Sequence, residues 1–278
     1  MKKLLCLCCC FALVFLWICP AFATSEQPDE FGNGLLPMDE EVLFAHLAEN
    51  EGSQIQLLET LPSSVDLSAS PYFPPIKSQE MLYSDVAFST TYYQFTYEKN
   101  KYHQVASANS ATWATPKWTY NVLNGGENQP IAFNKAYDFL QTQGALSWAQ
   151  FPYQGGGSSS GQVSPNLYRD WPTNKEHMRN ALKTRLTNWA SRYISGTGTV
   201  ITSATDTDLN VVKRALNNGK VLQVGSHNNW NEWILPDGKI ISYRCYDDES
   251  GNPGHSMVIV GYDDNVTCDV NDNGVIES

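Results

Sequence analysis

Cysteine is scarce where it could do chemistry. Of seven cysteines, five (Cys6, Cys8, Cys9, Cys10 and Cys19) lie in the first 19 residues, leaving only Cys245 and Cys268. A disulfide-dense scaffold is thereby excluded; one bridge between those two, or two separate thiols, are both compatible with the sequence. Positive charge is also short, with 18 basic against 29 acidic residues and a net charge of -11. That balance argues against nucleic acid or an anionic membrane as a partner. There is no internal repeat and no excess of proline or glycine, so a sizeable core is compatible with the 278-residue length.

The one long apolar run is at the start. Lys2 and Lys3 precede an apolar stretch from Leu4 to Cys19, and Ala21-Phe22-Ala23 forms a small-x-small cleavage site. Residues 1–23 therefore read as a signal peptide rather than an anchor, which predicts a secreted, extracellular protein without a membrane span after cleavage. The mature chain would carry 16 basic and 29 acidic residues, a net of -13.

Residues 24–60 are acidic and weakly patterned, a short pro-segment or a linker, with one short helix expected over Asp39–Leu47. Leu61–Pro75, rich in Pro and Ser, reads as extended chain. Helices are expected over 85–98, with Ser84 or Asp85 capping, and over Ala132–Gln143, closed by Gly144. Lys175–Tyr193 has Met178, Leu182, Leu186, Trp189 and Tyr193 at helical spacing, which predicts a core-packed amphipathic helix. Thr205-Asp206-Thr207-Asp208 opens another, ending at Gly219. Gly155–Gly161 is a glycine-serine surface loop. After Gly219 the period changes to that of strands, at Lys220–Gly225, Lys239–Tyr243 and Ser256–Tyr262. Helices followed by strands predict an α+β fold.

Several segments carry one resemblance in the same order. Residues 74–89 contain a proline, Gln79, Ser84-Asp85 and Ala87-Phe88-Ser89. Leu61-Pro62 precedes Val65-Asp66, Asn124-Gly125-Gly126 follows, then Pro152-Tyr153, then Gly254-His255-Ser256-Met257-Val258-Ile259-Val260-Gly261-Tyr262. From about residue 61 to 264 this resembles the papain-like cysteine peptidases. The resemblance implies a two-lobe fold with a helical lobe (about 61–170) and a β-rich lobe (about 171–278), a peptide-binding cleft between them and no cofactor. It puts Gln79 at the oxyanion position, His255 at the catalytic histidine and Asn124, Gly125 and Gly126 along the substrate cleft. Asp85 and His255 lie 170 residues apart, somewhat beyond the usual spacing of roughly 130 to 150 residues, an excess that an inserted loop such as 155–161 would supply.

The chain departs from that family at the nucleophile. Asp85 stands where the cysteine belongs, and a carboxylate is a poor amide nucleophile. The plainer reading is that Asp85 caps its helix, accepting N–H bonds there and pairing with a protonated His255. Glu80 and Tyr83 replace two glycines of the oxyanion turn and would be expected to crowd or remodel it, and Glu80 puts an acid beside the oxyanion position, which is electrostatically unfavourable there. The remaining histidines, His46, His103, His177 and His227, are expected to be solvated. The asparagine that orients the histidine in the family has no match after residue 264, which makes the β lobe read as incomplete. The resemblance thus predicts a peptidase homologue that binds peptides or proteins without cleaving them. The alternatives are a peptidase using another nucleophile, Cys245, or a truncated, non-functional product whose remaining feature is a calcium-loop segment.

The last residues carry a separate pattern. Asp269, Asn271 and Asn273 fall at positions 1, 3 and 5 of an EF-hand-like calcium loop, Gly274 at its turn, and Glu277 adds a further carboxylate. Position 12 would be residue 280, so any Ca²⁺ site over 265–278 would be weak; a simple Asp/Asn/Gly turn reads equally well.

Overall fold

The computed structural model describes residues 35–36, 60–157, 163–189, 206–227, 231–234, 240–243 and 254–267. The expected signal peptide, the Asp39–Leu47 helix, Cys245, Cys268 and the calcium-loop residues Asp269, Asn271, Asn273 and Glu277 lie outside these. No helix among the described residues is long and apolar enough to cross a membrane.

The helical part is organised around one long helix. It begins at Asp85–Ala87, continues through a π-helical stretch Phe88–Phe95 and ends in Thr96–His103. The residues at both junctions keep right-handed helical dihedrals, so the three segments form a single helix, α1. Its wide middle has a local cause. The hydroxyls of Ser89 and Thr90 both donate to the Val86 carbonyl, at 3.1 and 2.7 Å, competing with the helix's own ladder. Helix α2, Pro116–Leu123, starts with Thr115 accepting from the Lys117 N–H and with proline at the first helical position. Helix α3, Phe133–Thr142, follows the expectation for 132–143. Short α4, Pro165–Tyr168, precedes α5, Lys175–Lys183, which Asn174 caps.

The α5 helix is shorter than its periodicity predicts. It stops at Lys183, and Leu186 donates its N–H to the Leu140 carbonyl (3.1 Å) while Ala145 donates to Thr184 (3.0 Å). Backbone pairing with the end of α3 thus wins over helix continuation. Met178 and Leu182 are 39% and 46% exposed, so they do not pack in the core; Ala181 and Leu186 do, and Trp189 stacks on Tyr137 with ring centroids 5.0 Å apart. Tyr193 lies outside the described residues.

Helix α6, Asp206–Asn217, leads into the strands, and Gly219 follows it with φ +69°. A four-stranded sheet has the order β3-β1-β7-β4, with β1 Leu35–Leu36, β3 Ile131–Ala132, β4 Leu222–His227 and β7 Gly254–Ile259. The pair β5 Asn231–Ile234 and β6 Ile240–Tyr243 forms a hairpin sheet; β2 Ser64–Asp66 pairs with β8 Gly261–Asp263. The expected single strand Ser256–Tyr262 is therefore two, broken at Val260, because its halves serve different partners: β7 lies on β4 and β8 on β2.

The main core joins α1 to its neighbours. Leu82, Val86, Phe88, Tyr92, Tyr120 and Tyr153 are buried together, with Phe88 and Tyr153 edge to face at 4.8 Å. This core holds α1 among its neighbouring elements, while the N-terminus of α1 meets β7 through Asp85, which accepts the Ser256 N–H and lies beside His255.

Candidate functional site

The segment before α1 is tied down by the tyrosines of that helix. The Tyr92 hydroxyl donates to the Pro75 carbonyl (2.7 Å), and the Tyr93 hydroxyl donates to the Lys77 carbonyl (2.9 Å) while accepting the Lys77 N–H (3.0 Å). The Lys77 ammonium lies 5.3 and 5.1 Å from the ring centroids of Trp113 and Trp148. Gln79 turns its amide back, donating to the Leu82 carbonyl at 3.1 Å. The Tyr153 hydroxyl donates to the Gln79 carbonyl (2.5 Å), so the Ser84 hydroxyl, 2.7 Å away, donates to Tyr153. Ser84 thus serves the core and makes no capping bond to α1. Burial, the largest influence, holds the Tyr153 hydroxyl well above the ordinary tyrosine range.

Of the two expectations for the replaced glycines, crowding or remodelling of the turn, the bonds made by Glu80 and Tyr83 fit remodelling. Glu80 adopts φ +54°, the left-handed conformation a glycine would take there without strain. Its carboxylate accepts the N–H groups of Gly155 (2.9 Å) and Gly157 (2.6 Å). Tyr83 packs against the main core and donates its N–H to Asn128 Oδ1 at 3.0 Å.

Asp85 is fully buried. Its Oδ2 accepts the Ser256 N–H at 2.9 Å and lies 3.2 Å from His255 Nδ1. The N–H that Asp85 accepts comes from β7, not from the start of its own helix, which corrects the capping expectation. The other half of that reading, pairing with a protonated His255, is matched in proximity alone. The 3.2 Å contact is of ion-pair length but poorly aligned: Asp85 Oδ1 and His255 Nδ1 are buried atoms without a well-formed hydrogen bond. A buried carboxylate oxygen without a donor is costly, on the order of 1–3 kcal/mol or more.

Behind this pair runs a polar network that the sequence did not announce. The Ser89 and Ser256 hydroxyls are 2.5 Å apart, and Gln223 Nε2 donates to them at 2.6 and 3.1 Å. Gln223 Oε1 accepts from the Tyr137 hydroxyl (2.6 Å), which also contacts Gln94 Oε1, and Gln94 donates to the Val221 carbonyl at 2.7 Å. The network joins α1, α3, β4 and β7. Only Ser89 and Ser256 carried a sequence signal, as neighbours of the expected site residues. Nothing in the sequence marked Gln223 or Tyr137.

Asn124 is buried and spent on structure. Its Nδ2 donates to the Tyr168 carbonyl (2.9 Å) and its Oδ1 accepts the Gly126 N–H (2.9 Å). Gly125 and Gly126 follow with φ +66° and +83°, presenting an exposed to half-buried turn. Among the other histidines, His103 is exposed and His177 half-buried.

A cavity of about 540 Å³ opens beside His255. Phe73, Ile76, Gln79, Phe88, Met257 and Val258 contribute to its walls, as do Ser89 and Ser256. No cluster of three or more histidine, cysteine or acidic side chains able to hold a metal occurs among the described residues.

Comparison with known proteins locates this geometry. No family model matches the sequence, and no curated protein matches it. Solved structures do. Xylellain, a cysteine protease from Xylella fastidiosa, superposes with a TM-score of 0.59 at 14% identity, over 86% of this chain and 82% of that one. Digestive procathepsin L 3 of Tenebrio molitor larval midgut gives 0.49 at 16% identity, over 75% of this chain and 58% of its own. With helices packed against α1, strands following them, and residues 85 and 255 facing each other between the two, the chain has the α+β fold of the papain-like cysteine proteases.

Proposed function

We propose that this chain is a secreted, papain-like peptidase homologue that holds peptides or protein segments in its cleft without covalent attack on them. The observation that carries this reading is the fully buried Asp85, 3.2 Å from His255 and bonded to the Ser256 N–H. Thiol catalysis needs a thiolate beside an imidazole, and the side chain presented there is a carboxylate.

Binding is supported by β1. Leu35 pairs with Ile131 in parallel and with Gly254 in antiparallel sense, immediately before His255. The space between β3 and β7 therefore accepts extended backbone, the form in which a peptide adds to a sheet. Secretion is supported by the leader at residues 1–23. A weak calcium site at Asp269, Asn271, Asn273 and Glu277 is part of the same proposal, to be read by Ca²⁺ titration.

The test pairs two measurements on the secreted full chain. An epoxide probe for thiol peptidases should leave it unlabelled, and an immobilised library of extended peptides should retain it. Stoichiometric labelling, or retention no better than on blank resin, would refute the reading.

A further inference from the structure

The orientation of the imidazole points to an activity outside peptide binding. His255 Nδ1 is buried and faces Asp85, yet the side chain keeps 24% of its exposure. Solvent therefore meets the opposite edge of the ring, which carries Nε2. A carboxylate beside Nδ1 selects the tautomer with the proton on Nδ1, leaving the Nε2 lone pair as the outward base. The Nδ1 contact is to Asp85 Oδ2, 3.2 Å away, and a modest ring rotation would align Nδ1–H with that oxygen; such contacts are often loose in an empty site.

The cavity beside this base has a definite chemistry. Phe73, Phe88, Met257, Val258 and Val260 make it largely apolar. One cation, Lys77, also lines it, with its ammonium over the rings of Trp113 and Trp148. An apolar, uncharged group suits such walls better than a carboxylate or phosphate.

We propose that Asp85 and His255 form a general-base dyad that activates water at the mouth of this cavity and hydrolyses activated esters with an apolar acyl group. His255 Nε2 takes a proton from water as the water oxygen bonds to the acyl carbon. The tetrahedral adduct collapses, breaking the bond to the alkoxy oxygen, and the imidazolium returns its proton to that oxygen. An acid and an alcohol leave; no covalent enzyme intermediate forms. Amides, with their poorer leaving group, stay intact, so the activity goes beyond the binding role and does not depend on it. His255 is the catalytic residue and Asp85 a positioning residue.

The probe is p-nitrophenyl butanoate with the full chain. Wild type turns over without a burst, and His255→Ala lowers kcat by about 100-fold, within the usual range for a positioned base. Asp85→Asn lowers kcat about tenfold or more with KM within about twofold, because the acyl cavity is untouched. Long-range ¹H–¹⁵N spectra of the wild type show His255 protonated on Nδ1, a signature that holds even if Asp85→Asn fails to fold. Met257→Trp, which fills the cavity, raises KM. A wild-type rate no greater than that of His255→Ala, or a proton on Nε2, overturns the dyad while leaving a probe-resistant peptide binder standing. Turnover blocked by iodoacetamide would overturn both readings, since a thiol would then be the nucleophile.

Discussion

Glu80 and Gly155 are joined by a 2.9 Å bond from the glycine N–H to the carboxylate, which pins a glycine-rich loop to the turn before α1. The same carboxylate takes the Gly157 N–H, and the backbone of Glu80 sits at φ +54° to allow it. Two effects oppose each other here. The left-handed backbone costs a non-glycine residue about 1 kcal/mol. Hydrogen bonds to a charged acceptor return about 1.5–3 kcal/mol, less what solvent screening removes at a half-buried site. Glu80→Ala loses the bonds and keeps the strain; Glu80→Gly loses both. Denaturant unfolding should rank wild type first, Glu80→Gly second and Glu80→Ala last, the two variants about 1 kcal/mol apart. A reversed order of the variants would mean that the turn is held by something other than this carboxylate.

Gly144, just after α3, sits close against the backbone of α5. Its φ is +69°, and a Cβ built on it would lie 1.9 Å from the Ala181 carbonyl oxygen and 2.7 Å from that of Thr184. Neither atom belongs to a side chain that can swing aside. Gly144→Ala should therefore destabilise the chain by roughly 3 kcal/mol, combining backbone strain with overpacking. Thermal unfolding measures it, and a loss under about 1 kcal/mol would show that α5 can shift away from α3.

The same glycine shows what the sequence made legible. Gly144 and Gly219 were readable as helix ends because the left-handed residue after a helix favours glycine. The run Ala132–Gln143 and the order of motifs from Leu61 to Tyr262 were readable for similar local reasons, and the motif order placed Asp85 opposite His255. What was not readable depends on contacts between distant residues. The α5 helix ends at Lys183 because Leu140 and Ala145 take over the backbone of the following segment. The strand from β7 to β8 breaks at Val260 because β2 lies elsewhere from β4. Glu80 looked like an acid at an oxyanion site, since nothing local to it reveals the N–H groups of Gly155 and Gly157. Asp85 looked like a cap because the Ser256 N–H is far away in sequence.

Lys99 gives the fold a pH dependence with a definite sign. Burial lowers its pKa from 10.5 to about 8, although its ammonium donates to the Thr112 carbonyl at 2.8 Å. Between pH 8 and 10 the unfolded chain therefore holds a proton that the folded chain has released, so stability rises with pH across that window. Above pH 10 the direction reverses. Burial raises the hydroxyls of Tyr92, Tyr120 and Tyr153, so the folded state keeps protons that unfolded tyrosines lose. Unfolding free energy measured from pH 7.5 to 11 should pass through a maximum near 10. In Lys99→Met the rising limb should flatten and the falling limb remain. A rising limb of unchanged slope in the variant would place its origin in another group.

Asp85→Cys asks whether the surroundings of residue 85 can still activate a thiol. The buried start of α1 and the imidazole of His255 remain in that variant, and Glu80 and Tyr83 are engaged with the 155–157 loop and the core. A thiol there loses the acceptor for the Ser256 N–H but also removes the carboxylate oxygen that has no donor. These changes oppose each other, so stability should stay within about 1 kcal/mol of wild type. Proton transfer to His255 should generate thiolate well below the ordinary cysteine range. At pH 6, with wild type as the blank for Cys245 and Cys268, iodoacetamide should alkylate Asp85→Cys at least about tenfold faster than the double variant Asp85→Cys, His255→Ala. Equal rates in the two variants would mean that the imidazole 3.2 Å from Asp85 is not placed to act on residue 85.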